Sequence, residues 1–127
     1  MTYKFTNAIV RKPNKSIHNA LSSQYLHPSY EKILEIHNNY ITSIEEAGLN
    51  TILLESLEQY PDSIFVEDPA LIFKNNIIIL NPSDFSRNGE AKIIKNEISK
   101  YFEKIFVVEK GTIEGGDILN INNHFII

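Results

Sequence analysis

The sequence predicts an α/β fold assembled from a repeated strand–strand–helix–strand unit, and three observations lead there. Two segments with apolar side chains near a 3.6-residue period alternate with short runs of β-branched residues. Residues 67–80 (EDPALIFKNNIIIL) can be laid over residues 114–127 (EGGDILNINNHFII), offset by 47. Each copy opens with an acid, Glu67 or Glu114, eight residues before the first Asn of a pair or of its neighbour pair.

In chain order, residues 4–11 (KFTNAIVR) read as a strand closed by the turn Lys12-Pro13-Asn14-Lys15. A polar loop follows through Ser23. Residues 29–47 carry Ile33, Leu34, Ile36, Tyr40, Ile41 and Ile44 on one predicted face, giving an amphipathic helix that starts at Pro28-Ser29 and stops at Gly48. Thr51-Ile52-Leu53-Leu54 is the returning strand. Asn tolerates the backbone of a two-residue turn, so Asn75-Asn76 and Asn122-Asn123 each predict a β-hairpin. Between the hairpins, Ser86 is placed to cap a helix over 87–102, with Ile93, Ile94, Ile98, Tyr101 and Phe102 buried. Ile105-Phe106-Val107-Val108 is the strand after it. Such repeats bury their faces against neighbouring copies, so a ring or array is expected.

The chain has 127 residues, 43% of them hydrophobic, which suits one packed segment spanning 1–127. A net charge of −4 disfavours nucleic acid as a partner, since phosphate binding calls for a basic face. No apolar run of membrane-spanning length occurs, and no membrane partner is expected. The absence of cysteine excludes thiol catalysis and thiolate metal sites from these residues, and it fits a cytoplasmic location.

The densest chemical signal is Asp62, Glu67 and Asp68 in PDSIFVEDPA, with Glu114 and Asp117 in IEGGD. Clustered carboxylates repel unless a cation lies among them. Calcium-loop spacing is absent and no histidine pair has metal-ligand spacing, so no metal is expected. A planar guanidinium matches paired carboxylates best, through two parallel hydrogen bonds. The same acids, beside Pro and Gly, are also placed to cap turns. Gly115-Gly116 permits close approach of a ligand or a neighbouring segment beside Glu114, or a plain turn. Arg87 at a helix start calls for an anionic partner, either a substrate carboxylate or Glu90. His37, beside an apolar helix face, reads as packed rather than catalytic.

The stretches AIVRKPNKSIHNAL, HNNYITSIEEAG, PDSIFVEDPALIF, NPSDFSRNGE and GTIEGGDILNINNHFII resemble dimethylarginine dimethylaminohydrolase, a member of the guanidino-group-modifying superfamily with arginine deiminases and amidinotransferases. The resemblance implies the N-terminal half of a five-bladed α/β-propeller (pentein) of ββαβ units, with the C-terminal half absent. It implies hydrolysis of Nω-methylated arginine to citrulline and a methylated amine through Cys, His and Glu, without an organic cofactor. It assigns Glu114 as the catalytic Glu and Asp68 as a guanidinium ligand. Asp62 lines the same region, and Glu67 contacts the amino-acid end. Arg87 pairs with the α-carboxylate, the Leu21 backbone closes over it, and Phe65 packs beside the pocket. Ala20 stands where these enzymes often carry Gly. The nucleophilic Cys and the catalytic His have no counterpart in this chain, which is therefore expected to be inactive alone. A small guanidine is the expected ligand, and self-association or pairing with a second half the expected assembly. The alternatives are an arginine deiminase or amidinotransferase relative, or a non-catalytic binding and assembly protein.

Overall fold

Strand β1 (Asn7–Arg11) pairs in parallel with β2 (Asn50–Leu54), in a register that sets Ile9 opposite Ile52. Parallel neighbours need a long crossover, and helix α1 (Tyr30–Glu46) supplies it. The computed structural model from which this is read describes residues 5–22, 27–121 and 124–127. Ser29 caps α1 by accepting from the Lys32 N–H, and the helix ends where Gly48 takes a φ of 88° and donates to the Glu45 carbonyl. Start and stop are as the sequence predicts.

The buried arc of α1 differs from the predicted one. His37 is its buried residue, flanked by half-buried Ile33, Leu34, Ile41 and Ile44, while Ile36 and Tyr40 are exposed. At 100° per residue Ile36 and Tyr40 lie at the edge of the apolar stripe and His37 near its middle, so position outweighs hydrophobicity. The loop after β1 contains a 3-10 turn, Lys15–Asn19. Its leading N–H groups, on Lys15 and Ser16, donate to the Glu58 carboxylate at 3.1–3.2 Å. The predicted loop limit at Ser23 lies outside the described residues, as does Lys4 of the predicted first strand.

Contacts divide the chain into two compact units, Thr2–Phe65 and Val66–Ile127. In the second unit β3 (Ala70–Phe73) and β4 (Asn76–Ile79) form an antiparallel hairpin, and β5 (Lys104–Val107) pairs in parallel with β4. The crossover between β4 and β5 carries helix α2 (Glu90–Ile98). This completes the predicted strand–strand–helix–strand unit. Ile77 and Ile79, two apart on β4, share a face and are buried, as are Leu80, Ile94 and Ile98. A second antiparallel hairpin, β6 (Leu119–Ile121) with β7 (His124–Ile126), follows.

Three local expectations are corrected. The first hairpin turns at Lys74-Asn75, with Asn76 already paired to Phe73, and the positive φ (55°) falls on Lys74 rather than on an Asn. The second expected turn, Asn122-Asn123, lies outside the described residues. Ser86 does not cap a helix over 87–102: Asp84 caps a short 3-10 turn (Phe85–Arg87) by accepting from the Ser86 N–H, and Gly89 precedes α2. Tyr101 and Phe102 lie past the end of α2, Tyr101 exposed in a closing 3-10 turn and Phe102 half-buried after it. A Ser-Arg-Asn-Gly stretch has low helix propensity, and the chain spends it as a turn.

Candidate functional site

Each compact unit gathers its own share of the predicted residues. In the first unit the organiser is Asn14, wholly buried, whose side-chain amide donates to the Tyr60 carbonyl at 2.9 Å and to Ser63 Oγ at 3.1 Å. Its amide oxygen accepts from Ser16 Oγ at 2.8 Å, so both ends of the buried amide are satisfied. The segment Tyr60–Phe65 is thereby folded into consecutive turns, with Ser63 N–H donating to Tyr60 O and Phe65 N–H to Asp62 O. Asp62, 5% exposed, holds the Leu21 N–H with both carboxylate oxygens at 3.1 and 3.2 Å. Leu21 and Phe65 themselves present exposed side chains. The structure thus brings Leu21, Asp62 and Phe65 together, three residues assigned from the sequence. Ala20 has φ −59° and ψ 152°, a conformation any L-residue adopts, so the loop does not need the family's Gly.

In the same unit, Arg11 donates to the Glu55 carbonyl at 2.7 Å and is almost wholly buried. His37 is buried, and the Arg11 backbone lies where it favours the charged ring. Burial pushes the His37 pKa below its ordinary value, and the Arg11 backbone contact only partly opposes that. A histidine held neutral in packing agrees with its reading as structural.

In the second unit the organiser is Arg87. Its Nε and Nη2 donate to the two oxygens of Glu90 at 3.0 and 2.8 Å, a two-pronged pairing, and its Nη1 donates to Asp68. Arg87 and Glu90 are both nearly inaccessible, whereas the Asp68 side chain is about a quarter exposed. Burial alone would depress the guanidinium pKa, but hydrogen bonding and charge from Glu90, then from Asp68, raise it overall. Of the two anionic partners foreseen for Arg87, Glu90 is engaged here, and Asp68 joins it. Asp68 was expected to grip a guanidinium; the one it holds belongs to the protein.

Glu67 is exposed and Glu114 half-buried. Glu114 opens a 3-10 turn (Gly115–Asp117), and its N–H donates to the Asp117 carboxylate at 3.1 Å. Asp117 therefore caps its own turn, as acids beside Gly often do. The Gly115 N–H donates to the Asp68 carbonyl at 3.0 Å, tying the Glu114 turn to the Glu67-Asp68 segment. The segments bearing the acids at equivalent repeat positions are accordingly neighbours. Glu67, Asp68, Arg87 and Glu114 form the second group. Sequence reasoning missed Asn14, which looked like an ordinary turn residue after Pro13; only its burial reveals what it organises. Among the described residues no cluster of three or more His, Asp or Glu side chains is placed to hold a metal, and no helix is long and apolar enough to cross a membrane.

No family model matches the sequence. Among curated proteins, the chain is 39% identical over 126 residues to N(G),N(G)-dimethylarginine dimethylaminohydrolase of Pseudomonas aeruginosa, covering 97% of this chain and 50% of the relative. It is 30% identical to the protein of the same name from Streptomyces coelicolor, over 91% of this chain and 46% of the relative. The chain thus spans about half the length of the curated relatives it matches. Among solved structures, the Pseudomonas aeruginosa enzyme in complex with citrulline superimposes with a TM-score of 0.92 at 38% identity, over 97% of this chain and 49% of that one. The N-terminal domain of a cyanobacterial arginine dihydrolase has a TM-score of 0.78 at 16% identity over 91% of this chain and 45% of that one, a likeness of fold alone. These neighbours have the pentein fold, so the α/β repeat read from the sequence is part of such a propeller.

Proposed function

We propose that this chain, a dimethylarginine dimethylaminohydrolase-type N-terminal half, supplies the cation-holding side of a site that hydrolyses Nω-methylated arginine to citrulline and a methylated amine. The observation that carries this reading is the second group of charged residues. Asp68 already takes a guanidinium edge, that of Arg87, and its partly exposed carboxylate sits on the segment tied to Glu114.

In the proposed scheme, Asp68 and Glu114 hold the substrate guanidinium, whose positive charge relieves their mutual repulsion. Glu67 contacts the amino-acid end. Arg87, locked in plane by Glu90, is assigned to the α-carboxylate. In the first unit, taken by itself, Asp62 holds the Leu21 backbone and Phe65 is exposed. Holding a planar cation in a fixed orientation turns binding energy into alignment with a nucleophile. Glu114 takes the catalytic role of orienting the cation and the proton-transferring group. A thiolate nucleophile cannot come from these residues, since the chain has no cysteine. The reaction accordingly requires a Cys supplied by residues other than these; the resemblance places the catalytic His among them too, and a cytoplasmic setting suits thiol chemistry.

The test is a titration of the chain with Nω,Nω-dimethyl-L-arginine, L-arginine and agmatine, following the backbone amide signals of Asp68, Arg87 and Glu114. The dimethylated amino acid is expected to shift all three, agmatine to leave Arg87 unshifted for want of a carboxylate, and no citrulline to form. Binding of none of the three compounds would refute the reading. Citrulline release by the chain alone would refute the assignment of the nucleophile to other residues. Preference for unmethylated arginine would favour the deiminase alternative.

A further inference from the structure

Gly115 has an ordinary, non-positive φ, so its backbone conformation does not call for glycine. Its surroundings do. A Cβ built on Gly115 would collide with the carbonyl oxygen of Glu67, lie 3.0 Å from that carbonyl carbon, and stand 3.4 Å from the Asp68 Cα. All three atoms are backbone, so no side-chain rotation relieves the clash. The adjacent Gly116 has nothing within 4 Å of its would-be Cβ. The same Gly115 donates its N–H to the Asp68 carbonyl at 3.0 Å. One residue therefore both permits the approach of the two acid-bearing segments and fastens it.

We propose that Gly115 is a positioning residue for the carboxylate group: it fixes the separation of Glu114 from Glu67 and Asp68, and with it the fit to a planar guanidinium. The proposal rests on the reading of these acids as guanidinium ligands. A carboxylate displaced by a fraction of an ångström loses one arm of a bidentate pairing, because hydrogen bonds weaken steeply with distance and angle. In Gly115→Ala the peptide of Glu67-Asp68 must move by about that amount. Gly116→Ala adds the same methyl group one residue later into open space, and the carboxylates stay where they are.

The experiment compares the whole chain with Gly115→Ala and Gly116→Ala, each titrated with Nω,Nω-dimethyl-L-arginine by NMR. Gly115→Ala is expected to weaken binding about tenfold or more while Gly116→Ala binds like the parent chain. Equal binding by all three overturns the proposal. Should Gly115→Ala fail to fold, amide hydrogen exchange of the unsubstituted chain decides. A Gly115 N–H exchanging about a hundredfold more slowly than that of Gly116 supports the latch, and equal rates overturn it. Should the parent chain bind nothing, the guanidine reading falls by itself. The latch is then judged by the hydrogen-exchange comparison of Gly115 with Gly116: markedly slower exchange at Gly115 supports it, and equal rates overturn it.

Discussion

The two hairpins of the second unit share a sequence pattern yet live in different surroundings. In β3–β4 a third strand, β5, pairs with β4, and Ile77 and Ile79 are buried almost completely. Among the described residues, β6 and β7 pair with each other alone, and Leu119, Ile121 and Ile126 are exposed. The comparison teaches that the apolar run specifies a strand, while burial is conferred by the next strand and helix of the repeat. An isolated two-stranded hairpin is marginal in water, and the edge-to-face packing of Phe125 on Phe73, ring centroids 5.3 Å apart, joins the second hairpin to the first.

The difference can be broken most sharply at the charged helix turn, which only the complete repeat possesses. Glu90→Ala leaves the buried Arg87 guanidinium with Asp68 as its principal counter-charge, and a loss of about 3–5 kcal/mol is expected in denaturant unfolding. Glu90→Gln keeps one acceptor and should lose less. Next comes the apolar contrast itself. Ile77→Ala should cost about 2–5 kcal/mol, because it opens a cavity. Leu119→Ala, in the corresponding exposed hairpin, should stay within about 0.5 kcal/mol. Similar losses at the two positions would erase the distinction drawn here. Smaller still is the turn: Lys74 holds a left-handed φ of 55°, a conformation that strains a side-chain-bearing residue, so Lys74→Gly should raise stability by up to about 1 kcal/mol. A loss instead would mean that the Lys74 side chain contributes more than its backbone strain.

The smallest effect concerns the first unit and depends on pH. The His37 pKa in the folded chain lies below 6.5, its ordinary value, because burial disfavours the charged ring. As pH falls, the unfolded chain therefore takes up the proton first, and unfolding is favoured. The stability owed to neutral His37 is complete above pH 6.5 and declines as pH drops from there through the folded-state value. Urea unfolding between pH 7.5 and pH 5 should show this slope, and His37→Phe should flatten it. An unchanged slope would place the titration elsewhere.

Much of the architecture was legible because it rests on periodicity. Helix α1 was readable from Ser29 to Gly48 because cap, apolar stripe and terminator agree, and β2, β4 and β5 are runs of strand-forming residues. The hairpin turn was misjudged by one residue, since both Lys74-Asn75 and Asn75-Asn76 satisfy local turn chemistry and only the pairing of Phe73 with Asn76 chooses between them. The helix over 87–102 was overextended because amphipathic spacing continues through Tyr101 while the backbone stops at Ile98. Within the site, residue types pointed to acids and an arginine. For Arg87 the sequence offers both a ligand carboxylate and Glu90, since residue order alone does not say which anion reaches a guanidinium.

The sequence by itself determined the alternation of strands and helices, the repeated acid before each hairpin and the absence of a thiol, since each follows from residue type and spacing along the chain. Only the tertiary structure decided that Asp62 holds Leu21, that Asp68 and Glu90 share Arg87, and that Gly115 has no room for a side chain. Apart from the Arg87–Glu90 pair, three residues apart, those are contacts between residues far apart in sequence, fixed by the path of the folded backbone, and no local propensity encodes that path.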